Sequence, residues 1–480
     1  MNNYKTFLVF LIVLCALPAI ASITGTISGI VTDPGGAVIS GATVKATNVQ
    51  TGVQRTLTTD AKGFYSFVGL PIGTYNISVQ QNGFKDFQVT GIIVDANSSL
   101  TVDAKLQVGT VQQEVSVTGN AVQVETVNTQ MGEVITGTSM TSIPLNGRSF
   151  TDLLALQPGV VPQTTGEYGA GFNPSGDLNP GNLSVSGQRE SANGFMVNGG
   201  NVEEGGNMGT AVIPNLDSIA EFRIITNNFD AQYGNYMGGL VNVVTKSGTN
   251  QFHGDAFEFL RNTNLDAKNY FSQERGAFHR NQFGGTFGGP VIHNKVFFFG
   301  DYQGTRQVIG QDSGLIPVPS AADRSGNLAD QASSLAEAFD TSGNCLNCVQ
   351  GGAWAQALSN ELGYTVTQGE PYYTTGCVSP SQCVFPDAVI PANAISAPAK
   401  ALLQYVPQAN VPGGFFSTSA FAKRLRDDKL GYRMDANGGM GTFSVYYFFD
   451  DFNLVDPYLG GNLPGFATNT LGRSQQVNVG

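Results

Sequence analysis

The chain has 480 residues, a net charge of −12 and 12% charged residues; that is roughly half the charged share usual in a soluble domain. The length calls for more than one domain, and no run of Lys and Arg is dense enough to follow a phosphate backbone, which excludes nucleic acid as a partner. With 61 glycines and 10% aromatics, the composition fits a mainly β fold of short strands and many turns rather than a helical or disordered chain.

Residues 1–21 have the pattern of a secretory signal peptide. Lys5 gives the positive start, residues 7–17 the apolar stretch, and Ala19-Ile20-Ala21 the small-residue cleavage site. A membrane anchor is the rival reading, but it needs about 20 apolar residues, and this run is shorter and ends in a Pro. Leu14 before Cys15 excludes a lipoprotein signal. Cleavage leaves Cys345, Cys348, Cys377 and Cys383. An even count in an exported chain points to two disulfides, with all three pairings open. The alternative is a zinc site, because Cys345-Leu346-Asn347-Cys348 has ligand-like spacing.

Residues 23–108 alternate polar and apolar in short segments at 26–31, 42–48, 54–59, 64–68, 74–80 and 98–106. Between them lie turn signals such as Asp33-Pro34-Gly35-Gly36 and Asp60-Ala61-Lys62-Gly63. Strands at that spacing predict an antiparallel β-sandwich, with Tyr75, Ile77 and Val79 on one face. The stretches "GTISGIVTDPGGAVISGATVKA" and "TTDAKGFYSFVGLPIGTYNISV" resemble the carboxypeptidase regulatory-like domain, a transthyretin/Ig-like sandwich. A peptidase does not follow. His253, His279 and His293 all lie outside this unit, and none has a Glu at zinc-ligand spacing. No nucleophile elbow or P-loop occurs, so no catalytic residue, metal or cofactor is assigned.

Residues 109–250 read as a mixed α/β segment. Residues 113–117 form a brief strand, and residues 149–156 carry a helical pattern with Phe150, Leu153, Leu154 and Leu156 apolar. Strands near 194–197, 222–226 and 240–245 follow a Gly/Asn/Pro-rich loop at 166–183. The motifs "EVSVTG", "IPLNGRSFTDLLALQPGV", "SVSGQRESANGFMVNGG" and "NLDSIAEFRIITNNFDAQYGNYMGGLVNVVTKSGTN" resemble, in order, the plug domain of TonB-dependent outer-membrane receptors. With the sandwich in front, the likeness is to the Oar-like branch. Residues 251–480 then begin a transmembrane antiparallel β-barrel. In residues 441–452, Phe443, Val445, Tyr447 and Phe449 alternate with Thr442, Ser444, Tyr446 and Asp450, lipid side against lumen. In residues 295–303, Val296, Phe298 and Tyr302 face lipid, while Lys295, Asp301 and Gln303 face inward. Short turns at 293–294 and 436–440 alternate with long connections, the longest at about 305–425 holding all four mature cysteines. A barrel around a plug needs about 22 strands; five are legible, so the chain reads as the first portion of a longer receptor.

The resemblance implies an energy-coupled importer of a large nutrient (oligosaccharide, siderophore or peptide) in a bacterial outer membrane, its sandwich in the periplasm. Its partners would be a TonB-type energising inner-membrane complex, outer-membrane lipid and an unidentified extracellular ligand. The coupling segment must be an extended strand with free edges, and Glu114, Val115, Ser116 and Val117 are the candidates; the alternative is that they form the first plug strand. Arg148, Arg189 and Glu190, charged residues among Gly, Ser and Asn, would form a polar network releasing the plug. Tyr168, Phe172, Asn179, Asn182 and Trp354 are candidate ligand contacts. Residues 246–250, rich in Ser, Gly, Thr and Asn, read as a flexible joint between the last plug strand and the first wall strand. The rival functions are a non-transporting surface adhesin or scaffold, and a carbohydrate-binding module.

Overall fold

A computed structural model describes residues 23–109, 114–118 (backbone only), 129–162, 183–204, 209–229, 233–268, 270, 275–336, 340–342, 344–439, 441–458 and 467–480. The expected leader, residues 1–21, lies outside them.

The N-terminal unit is a sandwich built from β1 (Gly25–Thr32), β2 (Thr43–Asn48), β3 (Gln54–Thr58), β4 (Phe64–Leu70), β5 (Gly73–Gln80), β6 (Asp86–Val94), β7 (Ser99–Thr101) and β8 (Ala104–Lys105). One sheet runs β4-β1-β7 with β8 also on β1, the other β3-β2-β5-β6. Period-two alternation decides the core: Ile27, Val44, Ala46, Tyr65, Phe67, Tyr75, Ile77 and Val79 all turn inward. Each large apolar side chain among them contributes roughly 1.5–3 kcal/mol on burial. The Asp33 carboxylate is used by its own turn, accepting from the Gly35 and Ala37 amides at 2.8 Å each.

Three features differ from the expectation. β6 was not foreseen because Gly91, at φ +78°, sits in a bulge that moves burial from Phe87 and Val89 to Ile92 and Val94 and breaks the alternation. The sandwich is not purely antiparallel, since β7 and β8 run parallel to β1 after the chain crosses from one sheet to the other. The strand β9 (Glu114–Thr118), expected in the plug or free at both edges, instead pairs parallel with β6 from Asp86 to Thr90 and ends the second sandwich sheet.

The plug follows. Its sheet has the order β10-β15-β16-β13-β14, from β10 (Met131–Thr136), β13 (Gly194–Val197), β14 (Gly200–Asn201), β15 (Ile219–Asn227) and β16 (Leu240–Thr245). A small pair, β11 (Val160–Pro162) and β12 (Leu183–Val185), lies apart from it. The helix Thr151–Leu154 buries Leu153 and Leu154, and Phe150 beside it packs on Phe222 with ring centres 5.5 Å apart. Every residue of β16 is buried because the sheet is covered on both faces, which accounts for its continuous apolar run.

The wall is one antiparallel sheet in the order β17-β18-β19-β22-β23-β24: β17 (His253–Asn262), β18 (Phe278–Ile292), β19 (Val296–Gly310), β22 (Ala422–Gly438), β23 (Gly441–Asp456) and β24 (Thr468–Val479). The connections at 293–295 and 439–440 are short; those at 263–277, 311–421, which holds the short pair β20 (Ile316–Pro317) and β21 (Phe415–Phe416), and 457–467, on the other side, are longer. Inward residues alternate as expected, with Phe297, Phe299, Asp301 and Gln303 buried on β19 and Tyr446, Phe448 and Asp450 on β23. Outward, Leu430, Tyr432, Met434, Phe443 and Tyr302 form an apolar band. It gives way at one level to charge, where Asp428 pairs with Arg306 and Arg426 at 2.7 Å each and Asp451 with Arg473 at 2.8 Å. That change marks the upper edge of the hydrocarbon layer. Among the described residues no helix is long and apolar enough to cross a membrane; strands do the crossing.

Candidate functional site

The plug meets the wall through polar groups supplied at three levels. Leu145 is followed by Asn146-Gly147-Arg148, where Gly147 (φ +124°) and Arg148 (φ +59°) leave the usual region and aim three consecutive residues at the wall. The Asn146 side-chain oxygen Oδ1 accepts from Arg261 and Arg280 at 3.0 Å each, and the Gly147 main-chain carbonyl from Gln282 at 2.9 Å. Arg148 forms a buried ion pair with Asp217 and lies over the rings of Phe257 and Phe259, 4.4 and 4.0 Å from their centres. At mid-height Asn215 donates to Asp301, and Lys429 reaches the Ile213 carbonyl at 3.4 Å. Tyr446 and Phe448, on the inner face of β23, complete the plug core from the wall side. At the lower end Arg433 donates to the Thr245 carbonyl at 2.7 Å, and Asn478 to the carbonyls of Val197 and Asn198 at 2.9 Å each.

The foreseen network is therefore corrected in membership. Arg148 belongs to it, but its partner is Asp217, 69 residues on. Arg189 is exposed to solvent in a turn, and the side chain of Glu190 lies outside the described residues. Asp217, Asn215, Asp301, Asn146 and Arg433 were missed. Each is a common polar residue whose role depends on a partner far away in sequence, so no local pattern signals it.

The expected flexible joint at 246–250 is also corrected. The Lys246 amide donates to the Ser218 carbonyl of the plug at 2.7 Å, while the Ser247 hydroxyl donates to Asp435 of the wall at 2.5 Å. Gly248 lies against the main chain of β18 and β19. The Asn250 amide donates to the Gln50 carbonyl at 3.1 Å, and its side chain to the Thr51 carbonyl at 2.7 Å and to Asn294 at 2.8 Å. Small polar residues here serve close approach and hydrogen bonding rather than freedom.

On the far side, residues 311–421 form a module with its own core of Val349, Ala355, Leu358, Val366, Val384 and Phe385. The cysteines pair as Cys345–Cys348 and Cys377–Cys383. Trp354, on the helix Gly352–Leu362, is 43% exposed and donates to the Tyr372 hydroxyl at 2.9 Å, and Tyr372 stacks on Phe385. Tyr168, Phe172, Asn179 and Asn182 lie outside the described residues. Replacing Cys377 and Cys383 by Ser is expected to cost the module about 2 kcal/mol, the chain-entropy value for so short a loop. Proteolysis of whole cells should then cut within 340–395 sooner, with the wall strands unchanged.

Residues 244–480 match the outer membrane β-barrel domain family, and residues 26–107 the carboxypeptidase regulatory-like domain family. These matches, with sandwich, plug and wall in that order, define a TonB-dependent receptor of the outer membrane. Over 275 residues the chain is 26% identical to the TonB-dependent transporter Oar of Myxococcus xanthus, covering 54% of this chain and 24% of the transporter. Among solved structures, the siderophore receptor PirA from Acinetobacter baumannii is 13% identical with a TM-score of 0.34, covering 74% of this chain and 45% of that one. PirA from Pseudomonas aeruginosa is 11% identical with a TM-score of 0.27, covering 67% and 42%. The chain thus spans about a quarter of the length of the transporter it matches.

Proposed function

We propose that the protein imports a large nutrient, an oligosaccharide, siderophore or peptide, across the outer membrane by energy-coupled movement of the plug. The observation that carries this reading is the plug–wall interface. It is held by the Arg148 guanidinium stacked on Phe257 and Phe259, by guanidinium and amide hydrogen bonds to main-chain carbonyls and by a few aromatic contacts. Polar contacts of this kind can be exchanged for water and re-formed, which suits a part that must shift and return. The energising partner would engage β9 by strand addition; among the described residues its outer edge carries no partner strand. In that role Glu114, Val115, Ser116 and Val117 couple the import, and Arg148, fixed within the plug by Asp217, holds the plug to Phe257 and Phe259 of the wall until the pull arrives. Trp354, half-exposed on the module, is the ligand contact this reading favours.

The test is uptake of labelled oligosaccharides, ferric siderophores and peptides by cells with and without the energising complex. Replacing Val115 or Val117 by Pro removes a ladder donor from β9, and is expected to abolish uptake while surface exposure persists. Unchanged uptake would sink the coupling role. A surface adhesin is the second reading, favoured by the separate disulfide-stapled core of the outer module; it predicts surface binding indifferent to both Pro variants.

A further inference from the structure

Both main-chain groups of one sandwich residue are gripped by two side chains of the plug. Ala96, fully buried in the turn between β6 and β7, donates its N–H to Glu221 and accepts at its carbonyl from Arg223 at 3.0 Å. Glu221 and Arg223 stand two apart on β15, so they share the sheet face turned toward the sandwich. Beside them Asn97 accepts from the Tyr233 hydroxyl at 3.1 Å, and Ile23, Ile72, Ala96 and Val244 close an apolar seam. The sandwich holds the wall differently, through half-buried amide contacts of Gln50 and Thr51 with Asn250.

We propose that Glu221 and Arg223 are positioning residues that latch the sandwich to the plug, so that the two move as one body and the sandwich's contacts at Asn250 are the ones that part. The latch stands on its own geometry; the movement rests on the importer reading. Parting the latch gives up two hydrogen bonds to one buried residue and the apolar seam beside it, whereas parting the rim gives up only half-buried amide contacts that water replaces. A pull on β9, itself part of the sandwich sheet, then reaches the plug through Ala96.

Burial, and then Asp95 beside it, push the Glu221 carboxyl up to about 8. The charged groups around it are Asp95 from the sandwich turn and Arg223 on its own strand. Across a cavity of about 930 Å³ stand Arg55, Lys246, His253, Arg433 and Asp435. The folded protein therefore keeps a proton on Glu221 that the unfolded chain releases near its ordinary value of 4.5. The latch's contribution is whole below that value and is lost as pH rises through about 8.

Hydrogen exchange read by mass spectrometry on the full-length protein in detergent micelles tests this without ligand or energising partner, so its outcome is separate from that of the uptake assay. In a urea series, residues 93–98 should lose protection together with β15 and after residues 248–252. Corrected for intrinsic rates, their exchange should rise about tenfold for each pH unit between 4.5 and about 8 and level off above. Glu221→Gln keeps the acceptor and removes the titration, so its exchange should stay flat with pH. Arg223→Ala should exchange fast at 93–98 at every pH while β16 stays protected. Opening of 93–98 with 248–252 ahead of β15, or a Glu221→Gln profile that follows the unmodified protein, would overturn the proposal.

Discussion

Asp217→Ala is expected to destabilise the plug by about 3–5 kcal/mol, the cost of leaving one buried charge without its partner. The Arg148 side chain is 8% exposed and that of Asp217 12%, so water cannot replace the lost carboxylate. Only the π faces of Phe257 and Phe259 would remain close to the guanidinium, and they compensate by about 1–2 kcal/mol at most. Removing both charges together, as Arg148→Met with Asp217→Leu, is expected to cost far less, because the desolvation penalty disappears with the attraction. Urea unfolding of the full-length protein in micelles, followed at the plug, measures both. A double variant as unstable as the single one would mean that shape, not charge, holds this part of the plug together.

How far the sequence anticipated this arrangement depended on whether a feature was local. The plug strands β13 and β16 were placed correctly because an apolar run between turn signals needs no distant partner to be recognised. The wall was legible in β23, where Phe443, Val445, Tyr447 and Phe449 keep strict alternation. β22, which runs from Ala422 to Gly438, is harder to read. Its inner face carries Asp427, Lys429 and Asp435 and its upper outer face Arg424, Arg426 and Asp428, so the charges hid the period. β24 was missed for the same reason, with Leu471 and Val477 its main outward apolar residues among polar neighbours. The candidate site was less legible. Arg148 was found because a charge among glycines is conspicuous, but Asp217 and the Glu221–Arg223 grip on Ala96 exist only once distant segments are brought together.

Gly248→Ala is expected to cost about 3 kcal/mol, the upper end of what inserting one methyl into a closed contact incurs. A Cβ at residue 248 would collide with the Phe298 carbonyl oxygen and lie 2.6 Å from the Gly289 carbonyl oxygen and 2.9 Å from the Phe298 nitrogen. All three atoms are main chain in β18 and β19, so no rotamer change can relieve them. Gly438→Ala is the control, because a Cβ there meets nothing within 4 Å; its effect should stay within about 0.5 kcal/mol. Thermal unfolding of the two variants in micelles compares them, and an equal loss in both would show that the segment is slack after all. The consequence reaches the mechanism. The chain is held by the plug at Lys246 and by the wall at Ser247, so the passage from one body to the other occupies a single peptide unit. A displacement of the plug must therefore turn about that unit and break the Arg433 contact with Thr245, while Gly248 and everything after it stays with the wall.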